Sequence, residues 1–373
     1  MLTIYSPVQR AHQPAYVVKQ GERSASFDVP ERVDSILSAI NEQELGPVIA
    51  PDDAGLEPIR AVHDTGMIEY LMTAYERQNA EAGVSTPVFP TFFPPSGQRR
   101  RPGCFEGQKG FYCTNTGVPI DEHTWKAAVA SAHCAIAGAR VLRSGESRVY
   151  ALCRPPGHHA GPDFFGGYCY LNNAAIAAQV LRENGERVAI LDIDYHHGNG
   201  TQAIFYAEPN VWYGSLHIDP GTDYPFFAGY ADEVGIGAGE GTNWNVPLSP
   251  GTGQGRYLSA LGTLLVRLTA FNPQWLIVSA GFDTYIGDPI GTFQLTTAGF
   301  NEVGQRIRML NVPTLVVQEG GYCVPDLGRN VVTFLKGLAD IKQSDCESLA
   351  RNWDQAAAQP RLAPDAVIAA RNR

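Results

Sequence analysis

The sequence lacks the signatures that assign most chains of its size. Its seven cysteines are an odd number and form no CxxC pair, so neither a zinc ribbon nor a secreted disulfide framework fits. Lys and Arg total 28 against 38 Asp and Glu, a net charge of −10. Without a basic footprint, nucleic acid and anionic membrane are not expected as partners, whereas a cationic ligand would suit. Charged residues are 18% and hydrophobic ones 44%, which rules out disorder. No apolar run approaches the ~18 residues of a membrane span. The start, Met1-Leu2-Thr3-Ile4-Tyr5, shows no signal peptide, and a reducing cytoplasm is the expected compartment. The phosphate-binding glycine loop, the GxSxG elbow and HExxH are missing, and the glycine runs at 235–239 and 251–255 lack the third glycine of GxGxxG. Serine hydrolysis and dinucleotide chemistry drop out.

What the chain does have is an alternating rhythm. Its 373 residues exceed the usual single domain, although α/β enzymes often run past that size. At this length folding buries about three-quarters of the unfolded surface, so no metal or disulfide is needed to hold a core. Apolar runs at residues 149–153, 188–192, 211–217, 275–280 and 314–318 predict strands of a parallel sheet covered on both faces. Between them, Trp125, Val129, Ala132 and Ile136, then Phe300, Val303, Ile307 and Leu310, recur at helical spacing. Strands separated by helices imply βαβ units. The expected fold is α/β: a single domain over residues 1–373, with a mainly parallel sheet flanked by helices on both faces.

Two stretches break the rhythm. Residues 83–119 carry six prolines, six glycines, Arg99-Arg100-Arg101 and several aromatics without a period. So long a loop insertion is usually functional or an interaction surface, and its aromatics favour packing over disorder. Residues 220–255 are glycine-rich and include Pro225-Phe226-Phe227.

In open α/β sheets ligands bind beyond the carboxyl ends of the strands. Four expected strands deliver chemistry there: Arg154-Pro155-Pro156-Gly157-His158-His159, Asp192-Ile193-Asp194-Tyr195-His196-His197-Gly198-Asn199, Gly281-Phe282-Asp283 and Glu319-Gly320-Gly321-Tyr322. Asp194 and His196, two apart at a strand end, would face the same way. An Asp-x-His pair alone is more often an ion pair or a helix cap than a ligand set. With Asp283 converging, it makes three protein ligands and an open position, the catalytic zinc arrangement. Zinc is the first choice, and the oxygen-rich set would also accept Fe²⁺ or Co²⁺.

His158 and His159 would serve as acid and base beside such a metal. Asp192 and Asn199 are the candidate orienting partners, and a carboxylate behind one ring and an amide behind the other should separate their proton affinities. His159 is the expected general base and acid with His158 as electrostatic partner, although sequence leaves that division open. Tyr322, after two glycines, could donate to a developing oxyanion.

Jointly these motifs resemble the deacetylase branch of the arginase–deacetylase superfamily, which holds the histone deacetylases and acetylpolyamine amidohydrolases. They span about residues 150 to 325, and Pro30-Glu31-Arg32 extends the resemblance upstream. The resemblance implies zinc on Asp194, His196 and Asp283, tandem catalytic histidines at His158 and His159, and a carbonyl-polarising Tyr322. It implies that the Gly167 carbonyl accepts from the substrate amide, and that Tyr168 and Phe227 wall a tunnel, Phe226 adjoining the latter. A structural potassium ion would sit on Asp192, Ser215 and the carbonyls of Asp194, His196 and Leu216. A second such site would use carbonyls near Phe205, Glu208, Val211 and Thr242.

Asn199 stands where class I histone deacetylases carry Asp, and it agrees with class II-like enzymes and acetylpolyamine amidohydrolases. The 83–119 insertion resembles the loop through which bacterial acetylpolyamine amidohydrolases form dimers that narrow the entrance, so a homodimer is expected. The implied substrates are small cationic acetylated amines such as acetylputrescine and acetylcadaverine. Glu106 is the candidate acid for the free ammonium, with Asp121 and Glu122 as fallbacks. The alternative, a protein lysine deacetylase, would need an open rim. An arginase-type ureohydrolase would need carboxylates at positions such as Tyr195 and Phe282. An inactive binder would have lost a ligand or Tyr322.

Overall fold

A computed structural model describes residues 1–83, 85–95, 97 and 100–339. The strands are β1 (Leu2–Ile4), β2 (Val17–Lys19), β3 (Glu22–Ser24), β4 (Val48–Ile49), β5 (Arg148–Ala151), β6 (Val188–Asp192), β7 (Val211–Ile218), β8 (Asn243–Leu248), β9 (Trp275–Ala280) and β10 (Thr314–Gln318). β2 and β3 form an antiparallel hairpin. The other eight make one sheet in the order β4-β1-β5-β10-β9-β6-β7-β8, with every pairing parallel. The expected single domain runs past Ala339, and residues 340–373, Cys346 among them, lie outside the described residues.

Alternation along the strands explains why both faces carry helices. Val149, Ala151, Val188, Ile190, Leu315 and Val317 join one core, with the helices Thr124–Arg143 and Asn173–Leu181. Tyr150, Ala189, Leu191, Leu276, Val278 and Val316 join the other, with Gln254–Phe271, Thr297–Arg308 and Val324–Ala339. Successive strand residues point to opposite faces, so a strand apolar at every position must be covered twice. Helix starts are fixed by side-chain caps: Asn172 accepts from Ala175 N at 2.9 Å and Thr296 from Gly299 N at 3.2 Å, each satisfying an otherwise unpaired donor.

Five strands escape sequence reading, the β2–β3 hairpin among them. β1 and β4 are three and two residues long, too short for a period to show. β8 (NWNVPL) carries a proline and two asparagines, tolerable because it is the sheet's edge. The 149–153 strand ends two residues early, at Ala151, and the 211–217 strand runs on to Ile218. Within the 83–119 insertion, a helix forms at Phe105–Phe111. Phe105 and Tyr112 are buried beside Tyr70, at ring distances of 6.2 and 5.6 Å, while Phe92 is 68% and Phe93 44% exposed.

A buried ion cluster ties the N-terminal segment to this frame. Arg32 Nη1 donates to Asp28 Oδ1 at 2.6 Å and Arg154 Nε to the same oxygen at 3.1 Å. Arg154 also donates to the carbonyls of Gln9, His12 and Asp28. Arg32 reaches across to the carbonyls of Gly321 (2.7 Å) and Glu319 (2.6 Å). Burial pushes the Asp28 carboxyl up, but Arg154 and Arg32 together outweigh burial and hold it below its usual range.

Removing one partner of a buried pair strands the rest. Asp28→Ala should cost about 3–5 kcal/mol, read as a lower urea midpoint at neutral pH. Because the folded carboxyl binds its proton less readily than the unfolded one, this stabilisation is present above about pH 4 and is lost as pH falls through the folded value. The Asp28→Ala and parent proteins should therefore converge in stability at low pH.

Candidate active site

The carboxyl ends of β5, β6, β9 and β10, contiguous in the sheet, bring four motifs to one edge. Beyond Asp192 the chain leaves the strand and curls. Asp192 Oδ1 accepts from Asp194 N at 3.1 Å, and Asp194 Oδ1 from His196 N at 2.8 Å. These successive side-chain-to-backbone turns, rather than a strand pleat, set Asp194 and His196 side by side. From β9, Asp283 Oδ1 accepts from Tyr195 N at 3.0 Å. From β10, Gly320 N donates to Asp194 Oδ2 at 2.9 Å.

The result is a triad whose potential ligand atoms, on Asp194, His196 and Asp283, all lie within 4.8 Å of one another. His196 Nδ1 stands 3.4 Å from Asp194 Oδ1 and 3.3 Å from Asp283 Oδ2, yet Asp283 Oδ2 makes no aligned hydrogen bond although it is buried. Burial and the Asp194 charge push the Asp283 carboxyl up to about 7. Burial pushes Asp194 the same way, but His158 and His196 outweigh it and hold that carboxyl well below the usual range. An orphaned oxygen between two crowded carboxylates and an imidazole fits a divalent cation. Gly320 is part of the cradle, since a Cβ there would lie 2.5 Å from Asp283 Oδ2 and 2.7 Å from Asp194 Oδ2.

The tandem histidines are held from behind. Glu319 Oε2 accepts from Gly157 N at 2.7 Å and His158 N at 3.2 Å, and Ser279 Oγ donates to Glu319 Oε1 at 3.1 Å. The two rings lie 4.0 Å apart. His158 Nδ1 is 3.1 Å from Asp192 Oδ2, and His159 Nδ1 is 2.8 Å from Asn199 Oδ1. Burial pulls both imidazoles down. At His158 the Asp194 and Asp192 charges overcome it and push the value up to about 10. At His159 burial, His158 and His196 act together to lower it well below the usual range.

Tyr322 is buried, its ring under the Arg32 guanidinium at 4.8 Å and 5.8 Å from Tyr168. Asp288 Oδ2 accepts from Tyr322 N (2.7 Å) and Cys323 N (3.1 Å). Gly321 has φ +112, a conformation that favours glycine. Burial raises the phenol well above its usual value, so the hydroxyl keeps its proton. Gly167, at φ +56, passes so close to His159 that a Cβ would overlap the imidazole.

The structure places the expected wall and substrate residues unequally. Phe227 is 92% exposed, and its one ring contact is Phe226 at 6.3 Å. The ring that lies against the histidines is Tyr224, edge-on to His159 at 4.8 Å and 6.0 Å from His196. The sequence offers Phe227, with Phe226 adjoining, and it is packing that brings Tyr224 forward in their place. Glu106 is half exposed and ion-paired with Lys109 at 2.7 Å. Asp121 accepts from His123 N and Thr124 Oγ1 at the start of a helix, and Glu122 is exposed. Asp192 and Ser215 are register partners on β6 and β7, with Ser215 Oγ 2.7 Å from His217 Nδ1. At the second expected potassium site, Phe205 O accepts from Glu208 N and Glu208 O from Thr242 Oγ1, while Val211 opens β7. The support roles of Arg32, Asp288 and Glu319 carried no sequence signal beyond their place in the motifs.

The family model of the histone deacetylase domain matches residues 26–338. The chain belongs to the histone deacetylase family of hydrolases. Acetylpolyamine amidohydrolase 1 of Pseudomonas aeruginosa is 45% identical over 341 residues, covering 90% of this chain and 98% of that relative. Acetylpolyamine amidohydrolase of Mycoplana ramosa is 44% identical over 341 residues, with 91% and 100% covered. The crystal structure of acetylpolyamine aminohydrolase from Burkholderia pseudomallei superposes with a TM-score of 0.87 at 41% identity, covering 91% of this chain and 98% of that one. The fold is thus the arginase–deacetylase fold that the motifs imply. Among the described residues no helix is long and apolar enough to cross a membrane.

In this family member the close pass of Gly167 is directly testable. Gly167→Ala should displace the His159 ring, and a misplacement of about 1 Å can cost roughly 100-fold in rate. Turnover should fall by that order, the circular dichroism spectrum should stay near the parent's, and the urea midpoint should drop by the roughly 1 kcal/mol or more that an alanine costs at a positive φ.

Proposed function

We propose that the chain is a metal-dependent amidohydrolase that removes acetyl groups from small acetylated polyamines or diamines, acetylputrescine and acetylcadaverine among them. The observation that carries the chemistry is the convergence of Asp194, His196 and Asp283 within 4.8 Å, beside the two histidines. The substrate class rests on the naming of the relatives, acetylpolyamine amidohydrolases at 45% and 44% identity, and on the net charge of −10, which suits a cation. Zn²⁺ is the proposed metal, with Fe²⁺ or Co²⁺ as substitutes. Bound there, it would supply Lewis acidity to water and to the acetyl carbonyl.

The chain's own groups do the rest. Asn199 Oδ1 beside His159 Nδ1 calls for a proton on Nδ1, which leaves the Nε2 lone pair to act as base. His159 Nε2 takes a proton from the attacking water as the oxygen adds to the carbonyl carbon. It returns that proton to the amine nitrogen as the C–N bond breaks, giving acetate and free amine. His158, charged between Asp192 and Asp194, steadies the negative charge. The Tyr322 hydroxyl donates to the carbonyl oxygen as charge develops there. The Gly167 carbonyl accepts from the substrate amide, and Tyr168 and Tyr224 flank the acyl-bearing chain. Glu106 of the insertion, half exposed beside Lys109, would meet the cationic end of the substrate.

Asp192, Ser215 and the carbonyls of Asp194, His196 and Leu216 would hold structural potassium. The exposed Phe92 and Phe93 of the insertion offer an apolar contact for a homodimer partner. The cysteines described are all free, which suits a cytoplasmic protein.

Two measurements test the reading. The parent protein should bind close to one equivalent of zinc and release acetate from acetylputrescine faster than from an acetyl-lysine peptide. Asp283→Ala should lose the metal, measured by elemental analysis, and keep its fold. A metal-free Asp283→Ala protein with full activity sinks the metal assignment, and a preference for the peptide replaces the polyamine reading with lysine deacetylation. Tyr322→Phe should keep its metal and lose about 100- to 1,000-fold in kcat, as expected for one oxyanion donor.

A further inference from the structure

The wall residue Tyr224 is latched from outside the sheet's own loops. Its hydroxyl accepts from Asn115 Nδ2 at 3.1 Å, and the Thr114 side chain is its other hydrogen-bond partner. Both residues belong to the 83–119 insertion, and both are themselves fixed. Gly117 N donates to Asn115 Oδ1 at 2.8 Å, and Cys113 Sγ to the Asn115 carbonyl at 2.7 Å. Thr114 is pinned to the Phe165 carbonyl through N (2.9 Å) and Oγ1 (3.3 Å). Gly166 leaves the space in which these groups meet, because a Cβ there would overlap Thr114 Oγ1 and lie 3.0 Å from Asn115 Nδ2 and 3.2 Å from the Tyr224 hydroxyl. At its other end the Tyr224 ring closes against His159 and Gly167.

An aromatic wall with no polar tip would be held by packing alone. Here hydrogen bonds from a separate segment hold the hydroxyl end of the ring, and so fix how far the side chain can swing about its Cα–Cβ bond. We infer that Asn115, supported by Thr114, is a positioning residue that sets the Tyr224 ring against His159, so that the bore of the tunnel and its preference for a slender acetylated amine depend on the insertion. This inference rests on the deacetylase reading above and names what sets its substrate choice.

The test is a double-mutant cycle on the metal-loaded full chain: parent, Asn115→Ala, Tyr224→Phe and the double variant, each assayed on acetylputrescine and on an acetyl-lysine peptide. A lost hydrogen bond of ordinary strength is worth up to about tenfold. Each single variant should raise KM for acetylputrescine by about three- to tenfold, with kcat within about threefold and metal content unchanged. The double variant should be no worse than either single one, because both remove the same contact. Asn115→Asp, which lets the phenol donate instead, should retain most of the parent's KM. Effects that multiply in the double variant, or an Asn115→Ala loss equally present in Asn115→Asp, overturn the inference. If the parent prefers the peptide, the polyamine reading fails on its own, and the same cycle read on the peptide still decides whether Asn115 acts through Tyr224.

Discussion

Four carboxylates, Asp192, Asp194, Asp283 and Glu319, are buried together at one edge of the sheet, and the surrounding architecture answers them. Burying an uncompensated charge is prohibitive, so Asp194, Asp283 and Glu319 each accept from backbone N–H groups of another strand end, while Asp192 takes Asp194 N and the Tyr213 hydroxyl. Asp194 takes Gly320 N and His196 N, Asp283 takes Tyr195 N, and Glu319 takes Gly157 N and His158 N. The glycines at 157, 281 and 320 are there because these approaches leave no room for a side chain. One unmet oxygen remains, on Asp283, and it faces the imidazole. Among these four carboxylates, compensation is complete except at the oxygen that the proposed metal would take.

A second tier of polar contacts controls the tyrosine. Arg32 grips the carbonyls on either side of Gly320 and lies over the Tyr322 ring, while Asp288 holds the amides of Tyr322 and Cys323. Arg32 shares Asp28 with Arg154, at the head of the segment that carries the histidines. The N-terminal helix Glu31–Glu42 thus enters the site without contributing a reacting group.

Much of this was legible in the sequence, for identifiable reasons. The central strands are apolar at consecutive positions, and the motifs stand where those strands end, so the fold and the triad of Asp194, His196 and Asp283 could be read together. What was hidden is what depends on packing between distant segments. β1 and β4 are too short to show a period, β8 hides behind a proline and two asparagines, and the insertion conceals a helix between its glycines. Tyr224 and Phe227 are indistinguishable as letters, and only the fold presses one against His159 while turning the other into solvent. Whether Glu106 pairs with Lys109, one helical turn away, or stays free is likewise decided by the fold and not by the sequence.

The position of β10 has a consequence for how the molecule comes into being. It is the last strand among the described residues, yet it lies between β5 and β9, inside the sheet rather than at its edge. Until residues 314–318 have emerged from the ribosome, β5 and β9 have no neighbour between them, and both present unpaired backbone. Two half-sheets must therefore wait for a closing strand that also delivers Tyr322. Such late, long-range pairing is slow and leaves sticky edges exposed meanwhile. The nascent chain cannot assemble an active site before it has sealed its own sheet.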